Sequence, residues 1–251
     1  MRSRLLIAGL AVAIAATPAI TLTSSAQAEP APTAKIKATK YRMLFTFDKK
    51  ESLRAGTRVH DVSHHRNGGV VVAQAGGKLR SVKGARGRGA DFPNRCPGCG
   101  RALIEVKDRK GLDPGFRNFT FGSSIRLTKT QAIYGSNIVQ KGYFNQAGGQ
   151  FKLQLEPGGV PSCVFYGSTA RLKVVSSVGI ANNKWHRVSC TRGKYGLALR
   201  VDGHVRGGLT GQAGFISNAA PIRLGAKKIT APNKQFRGVL DNVYLRFLPT
   251  S

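Results

Sequence analysis

Two stretches of the chain alternate between apolar and polar side chains. Over 151–156, Phe151, Leu153 and Leu155 oppose Lys152, Gln154 and Glu156; over 197–202, Leu197, Leu199 and Val201 oppose Ala198, Arg200 and Asp202. A period of two puts successive side chains on opposite faces, so each run predicts a strand with one buried and one wet face. Asp202-Gly203 then signals a tight hairpin, and His204 to Arg206 begins the return strand. Shorter runs of β-formers, separated by Gly, Asn or Pro, predict strands at 41–48, 69–74, 103–107, 117–128, 137–142, 162–167, 171–176, 184–192, 221–226 and 236–247. Almost no stretch has the apolar period of a helix. About a dozen antiparallel strands of this kind must stack face to face to bury their apolar sides. The expected fold is all-β, a two-sheet antiparallel β-sandwich of the jelly-roll type. No internal repeat points to a propeller or solenoid.

The first residues follow a different rule. Arg2 and Arg4 precede an apolar run from Leu5 to Ala16, a polar phase from Thr21 to Ser25, and the small-x-small site Ala26-Gln27-Ala28. This reads as a signal peptide over 1–28, cleaved after Ala28. Thr17 and Pro18 interrupt the run well short of the roughly 20 apolar residues that span a bilayer. With neither a lipid-accepting Cys nor a twin arginine, simple release is expected, with no transmembrane segment in the mature protein. Residues 29–40 read as a disordered lead-in and 41–251 as one domain, secreted or wall-associated and monomeric.

Charge narrows the partners. The 251 residues carry 40 Lys and Arg against 11 Asp and Glu, a formal +29. Cleavage removes two arginines and no acid, leaving 38 against 11, or +27. Such a field draws polyanions. The segment 76–101 concentrates it: Lys78, Arg80, Lys83, Arg86, Arg88, Arg95 and Arg101 face one acid, Asp91, amid glycines, and read as a long, mobile, ligand-binding excursion. Export makes chromosomal nucleic acid an unexpected partner, and the Gly84–Gly89 stretch (GARGRG) has only Phe92 nearby for base stacking. Anionic polysaccharides and wall polymers are the expected ligands.

Four cysteines in an exported chain imply two disulfides in one of three connectivities. Cys96-Pro97-Gly98-Cys99 allows a turn-closing bridge, and Cys163 and Cys190 fall in predicted strands, so the spacing favours Cys96–Cys99 with Cys163–Cys190. A redox C-x-x-C needs a helix N-terminus and a zinc ribbon a second close pair; neither is present.

Several segments together resemble bacterial laminin G-like domains of the concanavalin A-like lectin/glucanase superfamily. They are, in order, Leu44-Phe45-Thr46-Phe47-Asp48 with Asp61-Val62-Ser63 and Asn67-Gly68-Gly69; Phe119 to Leu127; Lys184-Trp185-His186-Arg187-Val188; Leu199 to Gly203; Ile222 to Gly225; and Phe236 to Tyr244. The match spans about 41–248. His64-His65-Arg66 departs from the small residues common at the first turn. The resemblance implies a two-sheet jelly roll that binds sugars, matrix proteins or other polymers. It also implies a possible structural calcium at the sandwich rim, for which Asp48, Asp241 and Asn242 are the candidate oxygen ligands; no cofactor is required.

Catalytic chemistry is sparse. A glycosidase needs two carboxylates about 5 to 9.5 Å apart. The nearest pair, Glu105 and Asp108, is spaced to lie on opposite faces of a strand and reads as surface charge. A lyase for acidic polysaccharides is the enzyme alternative, because Lys141-Gly142-Tyr143-Phe144 faintly resembles a stretch of jelly-roll alginate lyases, although the companion Gln-x-His is absent. A passive envelope protein is the third reading. His60, His64 and His65 read as exposed side chains of a basic turn, and Trp185 as core.

Overall fold

The computed structural model describes residues 40–49, 53–94, 96 and 98–249. The expected signal peptide at 1–28, the lead-in at 29–40 except Lys40, and Arg95 lie outside the described residues. Two antiparallel sheets are present. The first holds β1 (Met43–Phe45), β4 (Arg80–Lys83), β5 (Arg88–Phe92), β7 (Phe119–Arg126), β12 (His186–Arg192), β13 (Gly196–Val201), β14 (His204–Thr210) and β16 (Gly238–Phe247). Its order is β14-β13-β12-β7-β16-β5-β4, with β1 also on β16. The second holds β2 (Arg58–Val59), β3 (Gly69–Gln74), β6 (Arg101–Val106), β8 (Ser136–Lys141), β9 (Gln150–Glu156), β10 (Val160–Tyr166), β11 (Arg171–Val175) and β15 (Ile222–Leu224), in the order β11-β10-β9-β8-β15-β6-β3-β2. Among the described residues no helix is long and apolar enough to cross a membrane.

The core lies between the sheets, where alternate side chains of each strand meet. Phe119 and Phe121 of β7 pack on Phe151 of β9 and Phe165 of β10, with cross-sheet ring centroids 5.3, 5.6, 4.9 and 5.7 Å apart. Cys190, opposite Phe121 in register, bridges to Cys163 on the facing sheet over a Cα–Cα distance of 5.7 Å. The second bridge is Cys96–Cys99, so the expected connectivity is the one formed.

Two buried cations fasten loops to this frame. Arg192, only 1% exposed, donates from Nη1 to the Gly214 carbonyl at 2.7 Å and from Nη2 to those of Gly115 and Arg117 at 2.7 and 2.6 Å. Its guanidinium lies 4.8 Å from the Phe119 ring. Burial lowers its pKa to about 10, so the cation persists at neutral pH. Lys141, fully buried, places Nζ 2.5 Å from Asp108 and 3.2 Å from Asp113, and 2.8 Å from the carbonyls of both Asn218 and Ala220.

Three expectations need correction. The segment 76–101 is a built element rather than a mobile excursion: β4 and β5 form a hairpin, β5 is paired to β16 through Phe92 with Gly238 and Ala90 with Leu240, and Arg101 opens β6. Part of its support comes from carboxylates remote in the chain, Asp48 and Asp241. The middle of the outer face of the second sheet is not wet either, since Asn137, Gln140, Gln150, Gln154 and Ser162 are buried. Segment 225–237 lies over it: the Asn137 N–H donates to the Lys234 carbonyl, and the Tyr143 hydroxyl to that of Lys227. Lys152, beneath this segment, has its pKa lowered to about 8, by burial first and then by Lys234. Trp185 is half-buried, with the Arg126 guanidinium 5.2 Å from its ring, rather than in the core.

Replacing both Cys163 and Cys190 by Ala reopens a loop with a sequence separation of 27 residues. By chain entropy this costs about 3–4 kcal/mol, so thermal unfolding should shift down by about 7–14 °C. A shift within about 2 °C would show that the bridge adds little to the aromatic packing around it.

Candidate functional site

The basic residues expected to bind ligand divide into two groups. Lys78 and Arg80 line a cavity of about 410 Å³ together with Asp91, Asn94, Cys99 and Gln131. Arg101 lines an adjoining one of about 650 Å³ with Tyr134, Asn233 and Lys234, and the two share Asn94, Cys99 and Gly100. The Cys96–Cys99 turn, closed by the Cys99 N–H donating to the Cys96 carbonyl at 3.1 Å, therefore forms their common rim. Lys83, Arg86 and Arg88 instead stand exposed on the tip of the β4–β5 hairpin, where Arg88 folds back on Ser81, donating to its hydroxyl at 2.5 Å and its carbonyl at 2.9 Å.

The double cavity has a fixed floor and functional walls. Gln235 donates to the carbonyls of Ala102, Gly225 and Phe236 and accepts from the Ala102 N–H, so its amide holds the loop in place. Arg101 gives one guanidinium nitrogen to Gln74 at 3.0 Å, while its Nε is buried with no hydrogen-bond partner. The Tyr134 ring is 53% exposed, 5.6 Å from the Arg237 guanidinium. Asp91 is the single acid here, and burial raises its pKa against the opposing pull of Arg80 and Arg126. Sequence reasoning missed Tyr134 and Lys234, because only the fold brings the β7–β8 connection, which carries Tyr134, and the β15–β16 segment, which carries Lys234, beside Arg101.

Asp48 and Asp241 do come together, at the β4–β5 turn. Asp241, on the bulge where the partner of β16 changes from β5 to β1, accepts the Arg86 N–H at 3.0 Å and the Asn242 N–H at 2.6 Å. Asp48 accepts the Arg88 N–H at 2.9 Å. Gly87 must be glycine, since its φ is +62° and a Cβ there would lie 1.9 Å from Asp48 Oδ1. A calcium ion takes about six to eight oxygens. Here the two carboxylates face backbone donors, Asn242 supplies an N–H, and among the described residues no group of three or more acids, histidines or cysteines is placed to hold a metal. The residues expected to hold calcium form a carboxylate–amide latch on the hairpin.

The enzyme candidates are occupied. Glu105 pairs with Arg223 at 2.8 Å and Asp108 with buried Lys141, so the two acids do not face a common substrate. The Tyr143 hydroxyl accepts from Arg223 at 2.5 Å and donates to the Lys227 carbonyl at 3.1 Å. The Trp-His and Asp-Gly motifs are joined by His186 Nδ1 to Asp202 Oδ2 at 2.7 Å, a brace between strands.

The latch makes stability depend on pH. Burial, then the charge of Asp48, raises Asp241 to about 7, above its unfolded value of roughly 4. Its stabilising contribution is complete below the unfolded value and is lost as pH rises through about 7. The melting temperature of the wild type should therefore fall from pH 5 to pH 8 more than that of Asp241→Asn. Parallel profiles for the two proteins would refute a protonated latch.

Comparison with known proteins bears on this arrangement. A laminin G family model, described as the concanavalin A-like lectin/glucanases superfamily, matches residues 104–246. No curated protein matches the chain. Domain 4 of AbnA, a GH43 extracellular arabinanase from Geobacillus stearothermophilus, solved with arabinotriose, is similar at TM-score 0.60 and 15% identity, over 84% of this chain and 94% of that one. The binding domain of botulinum neurotoxin DC is similar at TM-score 0.58 and 12% identity with SialylT bound, over 84% and 49% of the two chains. With rat synaptotagmin II bound, it is similar at 0.61 and 14%, over 84% and 50%. The chain thus spans about half the length of the neurotoxin domains, and at these identities the likeness is one of fold. The family model covers more than half of the residues and the two-sheet sandwich agrees with it: the chain belongs to the laminin G-like family of the concanavalin A-like lectin/glucanase superfamily.

Proposed function

We propose that this chain is a secreted, non-catalytic binding module for an anionic polysaccharide or cell-wall polymer. The observation that carries this reading is the double cavity, in which Arg101 and Lys234 line one lobe with the half-exposed Tyr134, and Lys78 and Arg80 line the adjoining lobe with Asp91, the one acid. An aromatic ring gives a sugar its apolar contact, while cations select for negative charge and speed encounter. The fold likeness to an arabinanase domain solved with arabinotriose supports a glycan ligand, and the net charge of +29 supports an anionic one. Two disulfides and the sequence of the first 28 residues support export. The engagement of Glu105, Asp108, Lys141 and Tyr143 supports binding over hydrolysis or elimination.

The test is affinity chromatography of the full mature chain on heparin, alginate, teichoic acid and neutral arabinan. Retention on at least one anionic column, reversed by salt, is expected, with Arg101→Gln and Lys234→Gln eluting earlier. Tyr134→Ala should weaken binding without changing its salt dependence. Failure to bind any anionic column, or equal retention on arabinan, would overturn the proposal.

A further inference from the structure

A second basic cavity, of about 530 Å³, lies where the two chain ends of the first sheet meet, away from the site described above. Its walls are Lys40, Tyr41 and Arg42 leading into β1, His64 and His65 from the following turn, and Arg246 and Phe247 ending β16. The wall is firmly built, since the Arg42 N–H donates to the Leu245 carbonyl at 2.8 Å and the Arg42 carbonyl accepts from the Asn67 amide, also at 2.8 Å. Phe247 lies between two guanidinium groups, those of Arg42 at 5.0 Å and Arg117 at 4.0 Å. The His64 and His65 rings are 3.8 Å apart, and Arg42 Nη1 lies 3.2 Å from His65 Nε2. A guanidinium can only donate, so Nε2 accepts and the imidazole is neutral. Burial, followed by His64 and Arg42, lowers the His65 pKa in agreement.

Among the described residues, the charge here meets no ion-pair partner. Asp61 is the acid beside the cavity, and it is buried with its carboxylate already used. It accepts the N–H groups of Leu44 and Ser63 at 2.8 Å, and the Ser63 hydroxyl and Asn67 N–H at 2.7 Å. Asp61 thus builds the turn that carries His64 and His65. Among the described residues, Lys40, Arg42, Arg117 and Arg246 form no ion pair. The cavity volume falls within the range of roughly 300–1,000 Å³ usual for small-ligand sites.

We infer that this cavity is a second subsite of the module, for a single sugar unit bearing an anionic group, with its acid on Arg42 and Arg246. The inference rests on the glycan-binding reading and adds the unit recognised. Sulfate, phosphate and carboxylate share the chemistry that the arginines select, and guanidinium forks meet all three through paired hydrogen bonds.

The test follows the imidazole signals of His64 and His65 by NMR in the mature protein during titration with glucosamine 6-sulfate, glucose 6-phosphate, glucuronate, glucose or inorganic sulfate. The three charged sugars should shift both histidines saturably, and their rank identifies the preferred anion. Glucose should do nothing, and inorganic sulfate should bind more weakly than glucosamine 6-sulfate. Arg42→Gln and Arg246→Gln should each weaken the charged sugars about tenfold, and Lys83→Gln, on the hairpin tip outside both cavities, should not. Unmoved histidines, or inorganic sulfate binding as tightly as the sugar, would overturn the subsite. If the histidines stay unmoved while polymer retention persists and depends on Arg101, only the subsite fails; if charged sugars bind while no polymer is retained, the glycan-module reading fails.

Discussion

A chain with 40 basic and 11 acidic side chains has few acids to place, and among the described residues the fold commits most of them to internal hydrogen bonds and ion pairs. Asp61 builds the first turn, Asp48 and Asp241 hold the β4–β5 hairpin, and Asp108 and Asp113 receive buried Lys141. Asp202 braces His186, Glu105 meets Arg223 and Glu156 meets Lys173. Each carboxylate fixes backbone or anchors a cation that the architecture needs. Among the described residues, most of the outward lysines and arginines form no ion pair, and they leave a strongly basic surface. Such a surface repels itself and gains most from an external polyanion.

A packed and cross-linked sandwich lies beneath that surface. Four phenylalanines interlock across the sheets beside the Cys163–Cys190 bridge, while Arg192 and Lys141 fasten the loops at the sheet ends. With the frame fixed, short segments can hold side chains at defined positions. The Cys96–Cys99 turn and the loop pinned by Gln235 do this for the double cavity, and the turn around Asp61 does it for His64 and His65.

The sequence carried the parts of this design that depend on neighbours in the chain. Alternation over 151–156 and 197–202 marks β9 and β13, and Asp202-Gly203 marks the hairpin from β13 to β14, because side-chain period and turn conformation are local properties. The Trp-His and Asp-Gly motifs were legible as a family pattern, and the His186–Asp202 contact explains why they occur together. What was not legible is non-local. Nothing in Arg-Ser-Val-Lys or Arg-Gly-Ala-Asp-Phe shows that Asp241, about 150 residues later, would hold their turn. Likewise Gln154 reads as a wet position until segment 225–237 covers it, and Tyr134 has no local mark as the aromatic wall of a cavity.

The central claim is the proposal that outward cations, outnumbering acids that serve internal contacts, drive recognition. Calorimetric affinity for one defined anionic oligosaccharide, measured across sodium chloride from about 50 to about 300 mM, tests it directly. Release of counterions predicts a linear fall of log affinity with log salt, amounting to more than about tenfold over that range. Affinity that holds constant across the same range would contradict it.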